Sequence, residues 1–284
     1  MKFFYSALPL LSFVTLLCDC SSSSTIAGRG GTQIINVSAY DPKEKQRSGR
    51  AYSATDVRAL RENGAVALIA RCGKGGDIDD KCDQFLASAD RAGMMLGAYY
   101  RTIHIMDPVM QADQFVNRMH TLSRERVWNR REFLLCADFD ADSSTSHMIR
   151  FLDRVKQRTG VDCVVYLENS LDLRMTLSSA SEETKNRLRR CPYWVALYSN
   201  DSGAAGPYPA PRTPTGLAKQ YNVWNNWQIW QYGGVEWSNG RSQPKVYPGF
   251  PRYFGNMDRP IERNLFRGSP QELSQLWSRH SLKW

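Results

Sequence analysis

Asp138 and Asp140 close the strand-like stretch FLLCADFDAD, and their spacing is the first feature of the chain that could do chemistry. A short apolar run of this kind reads as a strand buried on both faces, as in a parallel sheet. Side chains two apart on a strand share a face, so the two carboxylates should point the same way, roughly 6 to 7 Å apart at Cβ. Like charges that close raise at least one pKa, and enzymes use such pairs to keep one proton at neutral pH. The C-terminal ends of parallel strands are also where α/β barrels place their chemistry. An Asp after a strand can instead cap the next helix or make a turn, a role open to Asp142 and Ser143 here. Asp138 and Asp140 are then free for proton transfer.

The elements that must carry this pair alternate. TQIINVSAYD at 32–41 reads as a first strand, and buried strands follow at 65–73, 94–101, 133–140, 161–169, 193–199 and 227–234. Helices fall between them at 53–64, 80–93, 108–122, 147–160 and near 181–190, with a last one at 270–280. Gly64, Gly93 and Gly160 stop three of these helices. Strand and helix in alternation, with short connections, mean parallel strands joined by helical crossovers. With this many units, a TIM-like (β/α) barrel, partly irregular, is expected rather than an open sheet. No glycine-rich phosphate motif follows the first strand, and GKGGD at 73–77 lacks the Lys-Ser/Thr ending of a phosphate loop. The segment 199–222, rich in Gly, Pro and Ser, reads as a long loop. No linker divides residues 33–284, so one domain is expected there.

The 284 residues are 42% hydrophobic and include eight Trp, enough for a sizeable core. MKFFYSALPLLSFVTLLCDCSSSS has a lysine, an apolar run and then small polar residues, which reads as a signal peptide over 1–22 followed by a short polar linker at 23–32. Cys18 and Cys20 raise a bacterial lipoprotein signal as an alternative, although Leu17 and Asp19 stand where that signal has a small residue. Export to the periplasm or cell envelope is therefore expected, either secreted or held on the membrane by a lipid anchor. Five cysteines remain, and in an oxidising compartment Cys72–Cys82 and Cys163–Cys191 are the expected bridges. No C-x-x-C spacing is present, which argues against thiolate zinc sites. The net charge of +9 would suggest nucleic acid in a cytosolic protein; in an exported one, anionic envelope polymers are the natural partner. His104, His120, His147 and His280 sit in no nucleophile motif, which argues against a serine or cysteine hydrolase.

INVSAYD, FLASADRAGMMLGAYYR, ADFD, CPYWVALYS, WQIWQY and ERNLFRGSPQEL occur in this order. Together they resemble glycoside hydrolase family 25, the muramidases that cut peptidoglycan, over about residues 33 to 276. The resemblance implies a barrel with some irregular strands and hydrolysis of the β-1,4 bond between N-acetylmuramic acid and N-acetylglucosamine. It also implies peptidoglycan glycan strands as partner and no metal; no cofactor and a monomer are expected, and the signal peptide argues against nucleic acid. Carried over by position, Asp138 stands at the first carboxylate of the central pair, which supports the acetamido group or the developing charge. Asp140 stands at the general acid, which the family has as Glu. Asn36 replaces the first-strand Asp, and Tyr99 matches the strand-end tyrosine of the cleft. Glu262 falls on the late Asp by spacing, with Asp258 as a rival for that role. Trp194, Trp230 and Tyr232 are expected to stack on sugar faces. Two departures matter: Asn36 cannot ionise, and Asp140 is one methylene short for a general acid that must reach the leaving oxygen. Misplacement by about 1 Å can cost on the order of a hundredfold in rate. The alternative is therefore a catalytically degenerate glycan-binding barrel.

Overall fold

The computed structural model describes residues 32–39, 53–197, 214–233 and 261–284, and the backbone alone at 235–238 and 241–244. The expected signal peptide with Cys18 and Cys20, Asp258, and residues 198–213 of the expected loop lie outside the described residues. The strands are β1 (Gln33–Val37), β2 (Ala65–Lys74), β3 (Asp77–Ile78), β4 (Met95–Arg101), β5 (Glu132–Phe139), β6 (Val164–Leu167), β7 (Tyr193–Ala196), β8 (Ile229–Gly233), β9 (Val235–Ser238), β10 (Arg241–Pro244), β11 (Glu262–Phe266) and β12 (Ser281–Lys283). The helices are α1 (Ala54–Glu62), α2 (Cys82–Arg91), α3 (Pro108–Glu125), α4 (Thr145–Thr159), α5 (Leu171–Ser178), α6 (Glu182–Arg189), α7 (Pro214–Gln220) and α8 (Pro270–Arg279).

Eight strands close a ring in the order β1-β2-β4-β5-β6-β7-β8-β11, with β11 returning to β1. Neighbours are parallel except at β11, which runs antiparallel to both β1 and β8. This is the (β/α) barrel the alternation predicts, and β11 is its irregular strand. ERNLF is short and opens with three polar residues before two apolar ones, so it gives no buried-strand signal of the kind the other strands carry. β3 folds back on β2, and β12 adds to β5.

Alternation along each strand sorts the core into two layers. Ile35, Leu68, Leu96, Leu135, Val165, Val195 and Leu265 pack outward beneath the helices. Ile34, Ala67, Ile69, Leu134, Cys136, Val164 and Ile229 pack inward, and Leu273, Leu276 and Trp277 of α8 join them. Trp277 Nε1 donates to the carbonyl of Leu96 at 2.7 Å, near the start of β4. Helix α8 thus closes the N-terminal end of the barrel with apolar side chains. Gly97 makes room for it: a Cβ there would lie 3.0 Å from Ile69 Cγ1 and 3.3 Å from Trp277 Cζ2. The opposite, C-terminal mouth is left to polar groups.

The glycines expected to end helices, Gly64, Gly93 and Gly160, all take positive φ, at 95°, 72° and 75°. Two expectations need correction. The segment read as loop to 222 contains α7, and α5 was not anticipated, because both are too short for a 3.6-residue apolar pattern to stand out. The cysteines Cys72, Cys82, Cys136, Cys163 and Cys191 are all free buried thiols. Cys72 lies near Cys82, and Cys163 near Cys191, so sequence spacing found the neighbours but not a bond. Among the described residues no helix is long and apolar enough to cross a membrane.

Candidate active site

Towards the C-terminal mouth the inward positions change from apolar to polar. On adjacent strands Arg101, Asp138, Tyr166 and Trp194 are successive Cα partners, forming a row across β4, β5, β6 and β7. Below Asp138 on the same face lie Cys136 and Leu134, both fully buried. Asp138 is therefore the point where β5 turns from core to site.

Asp138 is only 5% exposed. Its Oδ2 lies 3.5 Å from Arg101 Nη1, while Oδ1 is buried and accepts no hydrogen bond among the described residues. Burial pushes the carboxyl up to about 6; Arg101 opposes the rise and the negative charge of Glu168 adds to it. Thr102 fixes the backbone beside it, its N–H donating to the Asp138 carbonyl at 2.8 Å.

Asp140 behaves differently from the expectation. β5 ends at Phe139, so the alternation that would aim Asp140 inward stops one residue too early. The chain turns there, with Ser143 N–H donating to the Asp140 carbonyl at 3.2 Å. The Asp140 carboxylate accepts from Ser143 Oγ at 2.6 Å, from His104 N–H at 3.1 Å and from His104 Nδ1 at 2.9 Å. Burial raises its pKa, but these hydrogen bonds together outweigh burial and leave it below the ordinary carboxylate range. The expected pair thus splits: Asp138 holds a proton more tightly than an ordinary Asp, and Asp140 less tightly. Capping is also redistributed, because Ser144 caps α4 and Asp140 holds the turn before it.

Asp140 in turn holds the His104 imidazole above its usual pKa, chiefly through their hydrogen bond. Replacing Asp140 by Ala is expected to return His104 towards about 6.5, the value of a free imidazole. An NMR titration of the His104 ring would measure this. An identical midpoint in the variant would show that the bond does not form in solution.

Asn36 and Glu262 are Cα partners on β1 and β11, and Asn36 Nδ2 donates to the Glu262 carboxylate. Asn36 Oδ1 accepts from Asn264 Nδ2 at 2.8 Å and from Gln231 Nε2 at 3.3 Å. An Asp at position 36 could not donate to Glu262 and would set two carboxylates together. The amide at 36 therefore matches a Glu at 262.

The aromatic expectations divide by face. Tyr99 points inward one layer below Arg101 and is 9% exposed. Trp194 also points inward, donating from Nε1 to Asn264 Oδ1 at 2.8 Å, with its ring edge-on to Tyr166 at 5.0 Å. Tyr166 OH donates to Gln231 Oε1 at 2.8 Å, so these rings form the floor of the site. Trp230 and Tyr232 do not belong to it. They occupy the outward positions of β8, buried, with Trp230 Nε1 on the Leu197 carbonyl and Tyr232 OH on Gln33 Oε1. In WQIWQY it is Ile229 and Gln231 that face inward.

The sequence reading passed over Arg101, Arg71, Asp79 and Glu168. Arg71 pairs with the buried Asp79 at 3.0 Å, and Asp79 also accepts from the Ala39 N–H at 2.9 Å. Counting in twos along GAYYR places Arg101 on the inner face, so its signal was present, while Glu168 lies just past the end of β6. Among the described residues no group of three or more His, Cys, Asp or Glu is placed to hold a metal ion.

The model of glycosyl hydrolases family 25 matches residues 46–240. The lysozyme of Streptomyces coelicolor is 20% identical, with 87% of this chain and 97% of that one covered at a TM-score of 0.56. A muramidase from Acremonium alcalophilum is 16% identical, covering 86% and 98% at 0.54. The spore cortex lytic enzyme SleM of Clostridium perfringens is 18% identical, covering 87% and 70% at 0.57. At these identities the likeness is one of fold. No curated protein sequence matches the chain.

Proposed function

The chain belongs to glycosyl hydrolases family 25, and from that membership we propose an exported muramidase that hydrolyses the β-1,4 bond between N-acetylmuramic acid and N-acetylglucosamine in peptidoglycan. The observation that carries the reading is Asp138: a carboxyl at the barrel mouth, raised to about 6 by burial, with one oxygen unpartnered among the described residues. Such a group holds a proton at the pH where a general acid is needed. Asp138 gives that proton to the leaving oxygen. The positive charge that grows at the anomeric carbon is met by the substrate's own acetamido oxygen, a recognised variant of the two-carboxylate scheme. Asp140 and His104 brace the loops on either side of Asp138. The excess of basic residues draws the protein to anionic wall polymer, and the apolar N-terminus supports export.

The test is to express the chain from residue 23, incubate it with purified peptidoglycan, and label new reducing ends. Muramic-acid ends are the expected result. Ends on glucosamine would move the cut to the other glycosidic bond. No ends, with the protein still pelleting with the wall, would leave a glycan-binding barrel, the reading favoured by Asn36 and by an Asp140 already engaged with His104.

A further inference from the structure

The geometry points to Glu168 as the second catalytic carboxylate of this site, facing Asp138 across β5 and β6 and taking the proton of the attacking water. The assignment rests on the muramidase reading above and names a residue which that reading leaves out.

Asp138 is the Cα partner of Tyr166, and Glu168 lies two residues further along the same strand direction. Glu168 follows directly on the end of β6 at Leu167, so the pleat alone does not aim it; Tyr166 before it packs against the inward cluster, and the Glu168 charge reaches both Asp138 and Arg101 at the mouth. Asp140 would occupy the equivalent place on β5, but His104 and Ser143 hold its carboxylate. Glu168 is one methylene longer and half-buried, and its carboxylate makes no hydrogen bond or ion pair among the described residues. Its backbone is nevertheless fixed: the carbonyl accepts from Ser170 N–H at 2.8 Å and from Tyr221 OH at 3.1 Å. Arg101 feels the charges of both Asp138 and Glu168. A pair of carboxyl groups is what cleavage of a glycosidic bond needs.

The steps balance. Asp138 passes its proton to the glycosidic oxygen as the C1–O bond breaks, and the electron pair leaves with that oxygen. The acetamido oxygen that met the charge at C1 leaves as water adds there, and Glu168 takes the proton that the water gives up. Asp138 ends ionised and Glu168 protonated, and solvent returns the proton to Asp138.

The charged groups facing Asp138 are Arg101 from β4, Arg71 from β2, Glu168 beyond β6 and Asp140 beyond β5. Removing the Glu168 charge should therefore let the Asp138 pKa fall. Glu168→Gln is expected to lower kcat on peptidoglycan by about a hundredfold or more, with KM changed far less. The alkaline limb of its pH–rate profile should move to lower pH, and added azide should restore part of the rate. Glu168→Asp should keep more activity than Glu168→Gln. A wild-type protein that cuts, beside a Glu168→Gln variant with equal rate and profile, would overturn this assignment and leave the muramidase reading intact. A wild-type protein that releases no ends would sink both.

Discussion

Asp138→Asn is expected to slow release of reducing ends by at least about a hundredfold, the usual scale for losing a general acid, while binding to the wall changes little. The variant should also be more stable than the parent above neutral pH. Burial holds the folded pKa of Asp138 at about 6, against about 3.9 for an unfolded Asp. The folded state therefore binds this proton more tightly. The stability that the group contributes is present in full below about pH 4 and is lost as pH rises through about 6. A shift of some two units corresponds to about 3 kcal/mol at most. The amide of the variant carries no charge to desolvate, and Arg101, 32% exposed in its side chain, can turn to solvent when its partner is neutral. Urea unfolding at pH 4 and pH 7.5 would measure the difference. It should be small at the lower pH and favour the Asp138→Asn variant by about 1 to 3 kcal/mol at the higher one. A variant that is less stable at pH 7.5 would mean that the Asp138–Arg101 pair outweighs the cost of burial. Equal turnover would remove Asp138 from the chemistry.

The barrel was legible because its strands are apolar runs separated by capped helices, a pattern that survives without any knowledge of tertiary contacts. β11 was not, because ERNLF is mostly polar and pairs antiparallel, so its identity depends on neighbours distant in sequence. At the site, period-two counting placed Asp138 on the inner face, while Asn36, Tyr99, Trp194 and Glu262 came from the family resemblance. The same counting misled at Asp140, one residue past the end of β5, where turn chemistry overrides the pleat. Trp230 and Tyr232 were misread for the opposite reason: aromatic type was weighed above strand parity, and parity sends both outward. Arg101 was missed although it closes the matched block FLASADRAGMMLGAYYR, because the resemblance singles out Tyr99 within it, and Glu168 was missed because it stands in no matched block. The mouth is thus assembled from side chains of several strands, and only on β5 does the local sequence announce the chemistry.

Trp277→Ala should unfold the protein far more readily while leaving the chemistry of whatever remains folded unchanged. Trp277 is fully buried at the N-terminal end of the barrel, among Ile34, Ile69 and Leu134. Truncating a buried Trp to Ala typically costs about 3 to 5 kcal/mol, and the Leu96 carbonyl loses its donor as well. The cavity cannot close cheaply, because β4 and β5 already meet at Gly97, where a single added carbon would sit 3.2 Å from Leu134 Cβ. Trp277→Phe keeps much of the volume and removes the N–H, so it should cost less than the Ala variant, on the order of 1 to 2 kcal/mol. Denaturation midpoints with unchanged slopes would measure both. The specific activity of the folded fraction at low temperature separates the two ends of the barrel. Asp138 lies at the C-terminal mouth and Trp277 at the base, so kcat should hold while stability falls. A loss of kcat matching the loss of stability would mean that the plug at the base also sets the position of β4, and through Arg101 the charge around Asp138.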